Sequence, residues 1–373
     1  MIPMYYPPPE SKGGWRVLAD ADSVRLMGEI DQGRLVSAWE YSLHSQSEPT
    51  EFYPAEYHVP RANSSSVLVI RHGYIVGEWY QNADKNTVWN VYSCTKSFTG
   101  TAYGILLQNS TEGKLRKRVT LDSPAYKYIP EGHPVTDARK RKIKIRHLLT
   151  MTSCIKGENS GVFGIHFRSP PRGCGPFEFA LGRCPTVGGK WVSKLTGDPG
   201  TRFGYSDPAF EHLSLIFYDV MRREIDGYLK EKVLDPIGVE NFVWDRIGGD
   251  GNIGPHTLSS TGIHITARDL ARFGYLALNK GLWTGRQLVP SKWMKMATEA
   301  SQPLNKNYGY TWWVNTAGTC WEDVPRDTFA AMGFAANKCY VIPSLDLVVV
   351  RIGDGPWPWN DTAFLRKVMS SVL

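Results

Sequence analysis

Residues 67–80 read VLVIRHGYIVGEWY, and this stretch decides the fold more than any other part of the chain. Two apolar runs, rich in β-branched and aromatic residues, flank a His-Gly dipeptide, a pattern that predicts a β-hairpin. A second hairpin is predicted over residues 339–352, where two apolar runs flank the turn sequence PSLD. A closing helix is predicted over residues 361–372. Two hairpins near opposite ends of the chain predict one sheet that is built from both.

The part of the chain between the hairpins is richer in helical patterns. Apolar residues at helical spacing predict helices over 145–151, 208–223 and 266–279. Thr266 is a suitable N-cap for the last of them. One amphipathic helix is also predicted before the first hairpin, over residues 23–43. The middle of the chain is therefore expected to form a unit inserted into the sheet.

The composition is that of a folded globular chain. It has 373 residues, of which 42% are hydrophobic and 21% are charged. No run of 18 or more apolar residues occurs, so no membrane span is expected. The first residues lack the basic and apolar regions of a signal peptide. The compartment stays open: cytoplasmic as the sequence stands, and periplasmic or secreted if a signal peptide has been removed.

Basic residues exceed acidic ones by a modest margin, 43 to 36, which gives a formal net charge of +7. Their densest cluster is RKRKIKIR, residues 139–146. Its second half alternates between basic and apolar residues, which predicts a strand with one solvated face. A solvated edge explains the cluster without a polyanion, so we expect no nucleic acid partner.

The six cysteines do not form a metal-binding pattern. None is part of a Cys-x-x-Cys pair, and no histidine pair has zinc-site spacing, so no structural metal is expected. Cys174 and Cys184 lie in a loop rich in Gly and Pro and could pair in an oxidising compartment. The sequence favours free thiols over a disulfide at these positions.

The candidate nucleophile is in Ser93-Cys94-Thr95-Lys96. A serine and a lysine three residues apart lie on one face of a helix, so the amine can reach the hydroxyl. Residues 97–108 form a helix-compatible run, which places Ser93 at a helix start. There, unpaired backbone N–H groups and the positive end of the dipole stabilise developing negative charge.

The same spacing occurs once more, at Ser153 and Lys156, which follow a predicted helix and precede Gly157. At a helix end the lysine falls in a turn without a fixed partner, so Ser93 is the better candidate. Tyr205, in the sequence Gly-Tyr-Ser-Asp, is the candidate base. A cation beside a tyrosine favours the phenolate, which can accept the serine proton. A purely structural tyrosine is the alternative.

Residues 91–106, 146–153 and 205–207 together resemble the serine β-lactamase and penicillin-binding protein superfamily. The resemblance is strongest to the class C β-lactamase-like branch, which includes esterases, D-aminopeptidases and 6-aminohexanoate-dimer hydrolases. It extends over most of residues 60–370. The motifs fall in the order and spacing of the family, which makes the resemblance more specific than any single motif.

The resemblance implies an α/β (α+β) fold of the β-lactamase/transpeptidase type, with a mainly antiparallel sheet flanked by helices and an inserted helical domain. The expected domains are an α/β sheet domain of residues 1–114 and 256–373, and a mainly helical inserted domain of residues 115–255. The active site is expected where the two domains meet, a common place for ligand pockets.

The third motif of the family is a Lys or His, a Thr or Ser, and a Gly, and it appears here as Ala331-Met332-Gly333. The glycine is kept, as expected where a substrate approaches the backbone closely. The cationic and hydroxyl side chains, which help to hold the carboxylate of a β-lactam, are absent. Asp207 stands where many relatives carry Asn, and the change could alter recognition of a substrate amide. These departures predict weak β-lactam hydrolysis.

By this resemblance the expected function is a serine hydrolase that cleaves an ester or amide through a Ser93 acyl-enzyme. Lys96 and Tyr205 act as general base and acid, and the N–H groups of Ser93 and Phe334, next to Gly333, form the oxyanion hole. No metal or organic cofactor is implied, and the partner is a small-molecule ester or amide. The alternatives are a D-Ala-D-Ala peptidase or β-lactamase, an acyltransferase, and a receptor that is acylated without turnover. The oligomeric state stays open.

Overall fold

The structure is a computed structural model that describes residues 5–47, 59–157, 174–184, 194–248 and 253–373. Its central element is a seven-stranded sheet with the order β1-β3-β2-β14-β13-β12-β11. All neighbours are antiparallel except β1 and β3. The strands of this sheet are β1 Arg16–Val17, β2 Ser65–Arg71, β3 Tyr74–Gln81, β11 Trp313–Val314, β12 Phe329–Met332, β13 Lys338–Ile342 and β14 Leu347–Gly353.

The two predicted hairpins are present and pair with each other. β2 and β3 form the first, β13 and β14 the second, and β2 pairs with β14 from Ser65↔Gly353 to Arg71↔Leu347. Smaller sheets are formed by β4 Val88–Asn90, β5 Phe242–Trp244, β6 Arg246–Ile247, β7 His256–Thr257, β8 Ile263–Thr266, β9 Leu282–Trp283 and β10 Arg286–Gln287.

Helices cover both faces of the large sheet. The described α-helices are α1 Ala21–Gly28, α2 Gln32–His44, α3 Thr95–Thr111, α4 Ile145–Leu149, α5 Pro176–Leu181, α6 Asp207–Met221, α7 Ile225–Leu229, α8 Ala267–Leu278, α9 Ser291–Ala297 and α10 Asp361–Met369. Helix α8 packs on β13 and β14, and α2 and α10 pack together on the opposite face. The fold is therefore the expected α/β arrangement, a mainly antiparallel sheet flanked by helices.

Alternate residues of the central strands supply two separate cores. Leu68 and Val348 point into the core beneath α3 and α8. Val69 and Val349 point into the core beneath α1, α2 and α10. Because side chains alternate across a strand, a strand covered on both faces is apolar throughout, and every residue of β2 is buried. The division into domains of 1–114 with 256–373 and of 115–255 stays a prediction.

The single helix predicted over residues 23–43 is wrong, because two helices occupy the region. Helix α1 ends before Glu29, which has a positive φ of 51°, and α2 starts after Asp31. The side chain of Asp31 accepts a hydrogen bond from Arg34 N at 3.0 Å. An N-cap of this kind starts a new helix although the apolar spacing continues across the break.

The strand predicted within residues 139–146 is also absent. Ala138–Lys142 forms a 3₁₀-helix whose N-cap, Asp137, accepts from Arg139 N at 2.9 Å, and α4 starts at Ile145. The strand-like pairing of Lys144 is limited to an isolated β-bridge with Pro124. The alternation arises because Ile143 and Ile145 are buried at the junction of two helical turns.

The cysteine pair departs from the expectation of free thiols. Cys174 and Cys184 form a disulfide with their Cα atoms 5.2 Å apart. Helix α5 lies between them, and Gly182, at a φ of 75°, turns the chain back after the helix. The sequence could not show this approach, since it depends on the short helix within the loop. The other four cysteines are free.

Candidate active site

The site is built at the junction between β4 and α3. Tyr92 has a positive φ of 46°, which is uncommon for an aromatic residue, and its N–H donates to Asn90 Oδ1 at 2.8 Å. A 3₁₀ turn, Tyr92–Cys94, then leads directly into α3. Backbone strain of this kind is often found at active sites. The 3₁₀ turn places Ser93, which is half-buried, at the start of the helix, and Lys96 follows one helical turn later.

Lys96 connects three elements through its ammonium. Nζ donates to Ser93 Oγ at 2.8 Å and to the carbonyl oxygen of Ser260 at 2.9 Å, and it forms an ion pair with Asp207. The Lys96 side chain is only 1% exposed and that of Asp207 is 10% exposed. A buried cation requires a charged partner, because desolvation would otherwise disfavour it. The sequence predicts that Asp207 contacts the substrate. In the structure its carboxylate is paired with Lys96.

Tyr205 lies on the other side of the same ammonium. Lys96 Nζ is 4.9 Å from the centroid of the Tyr205 ring, which stacks on Trp313 at 6.1 Å between centroids. The loop before α6 is anchored by a hydrogen bond of 2.8 Å from Gly204 N to Met151 O. The structure thus brings Tyr205, which is more than 100 residues away in sequence, to the ammonium that also contacts Ser93.

The second candidate serine has a different environment. Ser153 is 1% exposed, and its Oγ accepts a hydrogen bond from Ile155 N at 3.2 Å. It follows the end of α4, where Met151 and Cys154 have positive φ values of 59°. The hydroxyl stabilises a turn, and its burial closes it to a substrate.

The predicted oxyanion strand is adjacent to the nucleophile. Gly333 follows β12 and packs on the turn that carries Ser93, since a Cβ at Gly333 would lie 2.1 Å from Val91 O. Phe334 comes next, and its ring meets the Tyr92 ring edge-on at 5.5 Å. Asn337 holds this loop: its Nδ2 donates to Phe334 O at 2.8 Å and its carbonyl oxygen accepts from Gly333 N at 2.7 Å.

Two aromatic clusters flank Ser93. One consists of Tyr92, Phe334 and Trp357, and the Phe334 and Trp357 rings lie 5.4 Å apart. In the other, Trp313 contacts Tyr205 and meets the ring of Tyr308 at 5.2 Å. Aromatic rings therefore lie beside both Tyr92 and Tyr205, and two buried cations meet them: Lys96 beside Tyr205 and Lys338 over Trp357, 5.2 Å from the ring centroid.

Sequence analysis missed two contributors. The carbonyl of Ser260 is the backbone acceptor of Lys96, and the carboxylate of Glu211 accepts from Ser260 Oγ at 2.5 Å. The signal for Glu211 was a carboxylate one turn after Asp207 in helix α6, where all residues from 207 to 217 are buried. The signal for Ser260 was absent, because a main-chain acceptor carries no sequence pattern.

We expect Gly333→Ala to damage both stability and reactivity. The added Cβ would collide with Val91 O, which accepts from Cys94 N at 3.1 Å in the turn that holds Ser93. Overpacking should cost about 1–3 kcal/mol of unfolding free energy. Displacement of an oxyanion donor should slow fluorophosphonate labelling of Ser93 by ~10²-fold or more. Urea unfolding and labelling kinetics measure the two effects.

The control is Gly227→Ala, because a Cβ there meets only Arg246 Nη2, at 3.6 Å. That variant should keep the parent's labelling rate and be at least as stable as the parent, since alanine is favoured over glycine within a helix. A Gly333→Ala protein that labels as fast as the parent would contradict the predicted place of the oxyanion strand.

The described ranges contain neither a candidate metal cluster nor a candidate membrane span. No cluster of three or more His, Cys, Asp or Glu side chains able to hold a metal occurs in them. Across the same residues, none of the helices combines the length and apolar character that a bilayer crossing requires.

Comparison with known proteins identifies the family. The Beta-lactamase family model matches residues 53–355. An uncharacterized protein of Alkalihalophilus pseudofirmus is 26% identical over 340 residues, which are 83% of this chain and 90% of that protein.

Solved structures share the fold. A Bacillus anthracis protein provisionally named as a 6-aminohexanoate-dimer hydrolase matches with a TM-score of 0.61 and 21% identity, over 83% of this chain and 78% of that one. EstCE1, a hydrolase with promiscuous acyltransferase activity, matches with a TM-score of 0.64 and 14% identity, over 91% and 99%. At these identities the structural matches establish the fold, while the family model covers most of the chain. The chain belongs to the β-lactamase family of serine hydrolases.

Proposed function

We propose that the protein cleaves a carboxylic ester or amide through an acyl-enzyme on Ser93. The observation that carries this proposal is the set of partners around the Lys96 ammonium. Nζ donates to the candidate nucleophile at 2.8 Å, is paired with Asp207 and lies beside the Tyr205 ring. A serine whose hydroxyl is fixed by a lysine at a helix start, with a tyrosine on the same cation, is suited to nucleophilic catalysis.

The proposed acylation uses Lys96 and Tyr205 together as the base. Ser93 Oγ attacks the carbonyl carbon, its proton passes to the tyrosine–lysine pair, and the oxyanion accepts from the N–H groups of Ser93 and Phe334. The bond to the alcohol or amine then breaks, and the same proton goes to the leaving group. In the second half, water attacks the acyl carbon and gives a proton to the same tyrosine–lysine pair. The bond between the acyl carbon and Ser93 Oγ then breaks, and the proton goes to Ser93 Oγ as the carboxylic acid leaves. Asp207 balances the charge of the buried Lys96 ammonium, and that ammonium stabilises negative charge on the tyrosine oxygen.

The side chains around the site support an uncharged, apolar substrate. Where many relatives carry a cation and a hydroxyl, Ala331 is fully buried and Met332 is half-buried. The aromatic clusters around Ser93 fit a hydrophobic acyl or alcohol group better than a carboxylate. The proposal also places the site between the predicted domains, since Tyr205 and Asp207 come from residues 115–255 and Ser93 does not.

We expect esterase activity to exceed β-lactamase activity clearly. A charge-assisted hydrogen bond to the β-lactam carboxylate is worth roughly 1.5–3 kcal/mol, or about 10–150-fold, and residues 331 and 332 cannot supply it. A panel of a short-chain p-nitrophenyl ester, a D-amino-acid amide, a linear amide oligomer and nitrocefin measures kcat/KM for each. The Ser93→Ala protein serves as the control for background hydrolysis.

Two results would overturn the proposal. A kcat/KM for nitrocefin comparable to that for the best ester would mean that another group holds the carboxylate. A single burst of product without steady-state turnover, on every substrate, would instead indicate a receptor that is acylated and not a hydrolase.

A further inference from the structure

Glu211 is a fully buried carboxylate with a well-defined set of donors. Its Oε2 accepts from Ser259 N at 3.1 Å, and its Oε1 accepts from Ser260 N at 3.3 Å and from Ser260 Oγ at 2.5 Å. A buried carboxylate is costly unless hydrogen bonds satisfy it. These donors therefore bind the carboxylate and the 259–260 backbone to each other.

The backbone of Ser260, which Glu211 binds, is also a hydrogen-bond partner of Lys96. The N–H of Ser260 faces Glu211, and its carbonyl oxygen accepts from Lys96 Nζ at 2.9 Å. We propose that Glu211 is a positioning residue of the reaction: it holds the Ser260 peptide, and through the Ser260 carbonyl it aims Lys96 at Ser93. Its kinetic consequence rests on the proposed function.

Lys96 needs the Ser260 carbonyl as an acceptor because Ser93 Oγ and Asp207 compete for the same ammonium. The ammonium donates hydrogen bonds to Ser93 Oγ and Ser260 O, and it forms an ion pair with Asp207. A carboxylate attracts an ammonium more strongly than a neutral hydroxyl does. If the Ser260 carbonyl moves away, the ammonium turns toward Asp207, and Ser93 loses its partner.

The charge on Glu211 makes this arrangement sensitive to pH. Burial raises the pKa of Glu211 to about 7, with a smaller rise from Asp207 on its own helix. The hydrogen bonds from Ser260 and Ser259, and the charge of Lys96 on α3, lower this pKa. As the pH falls through about 7, a proton enters an acceptor set that faces N–H and O–H donors. One hydrogen bond is then lost, so acylation should slow on the acid side.

The test compares Glu211→Gln with Glu224→Gln. Glutamine keeps the volume but points an NH₂ at donors of residue 259 or 260. Glu224 is the matched control, since it accepts from Thr257 N at 2.9 Å and Thr257 Oγ1 at 3.0 Å on the same segment, away from the acceptor of Lys96. Both variants loosen this segment, so a merely structural effect appears in both.

We expect Glu211→Gln to slow fluorophosphonate labelling of Ser93 on the order of 10²-fold, the cost of a small misplacement of a catalytic group. Its kcat should fall with an unchanged KM, and the acid limb near pH 7 should disappear. A crystal structure of the variant should show Lys96 Nζ beyond hydrogen-bond distance of Ser93 Oγ. Glu224→Gln should label at the parent's rate.

Equal slowing in both variants, or a Glu211→Gln protein with the parent's rate and acid limb, would overturn the inference. If Ser93 takes no label even in the parent, the proposed function fails. The Lys96–Ser93 distance in the variant crystal still decides the inference in that event: an intact hydrogen bond rejects it, and a broken one supports it.

Discussion

We expect Ser93→Ala to remove covalent labelling by a fluorophosphonate completely and to leave the fold intact. The change deletes one half-buried hydroxyl, which accepts a hydrogen bond from Lys96 Nζ at 2.8 Å. Loss of the attacking atom leaves no route to an acyl-enzyme, so ester turnover should fall to the uncatalysed background. Intact-protein mass spectrometry counts the label, and thermal unfolding checks the fold.

Ser153→Ala is the matched control, because Ser153 has the same spacing to a lysine. Its Oγ accepts from Ile155 N at 3.2 Å and it is buried, so the variant should be somewhat less stable but should label fully. A full-stoichiometry adduct on Ser93→Ala, or an adduct mapped to Ser153 in the parent, would refute the assignment of the nucleophile.

Lys96→Ala and Tyr205→Phe should each slow acylation by the ~10²–10⁴-fold that is typical for loss of a general base. The two side chains meet at one place, with Nζ 4.9 Å from the ring centroid. Groups that act as one unit give non-additive losses, so the double variant should be little slower than either single variant. Stopped-flow acylation rates with a p-nitrophenyl ester measure all three.

Tyr308→Phe is a useful control for the tyrosine. Tyr308 is buried against Trp313 in the same cluster, and burial raises its pKa well above the usual value, so its hydroxyl is not suited to proton transfer. This variant should keep most of the activity. Penalties that multiply in the Lys96→Ala/Tyr205→Phe double variant would mean that the two groups perform separate steps.

Local sequence patterns predicted the two hairpins and the start of helix α8, because residues close together in sequence determine these elements. Both hairpins form within a residue or two of their predicted bounds, because a strand buried on both faces reads as an apolar run between turn residues. Helix α8 begins after Thr266 as predicted, since a threonine side chain that accepts from Asp269 N at 3.2 Å stops the strand and starts the helix.

The features that sequence analysis missed depend on contacts between distant segments. The Ser260 carbonyl reaches Lys96 across 164 positions, and no residue type marks a carbonyl acceptor. The 174–184 disulfide depends on α5, and the break between α1 and α2 on one N-cap. Motifs and their spacing in the sequence suggested Ser93, Lys96 and Tyr205. Only the folded chain shows that Asp207 is the counter-ion of the lysine.

The pairing of β2 with β14 also constrains synthesis of the protein. Arg71 and Leu347 are direct neighbours in the sheet, so this edge of β2 stays open until the ribosome has made β14. An open apolar edge is a template for pairing with another chain, and contacts of long sequence separation form slowly. A nascent chain arrested before residue 347 should therefore require a chaperone to stay unaggregated, whereas a chain that includes β14 can close its own sheet.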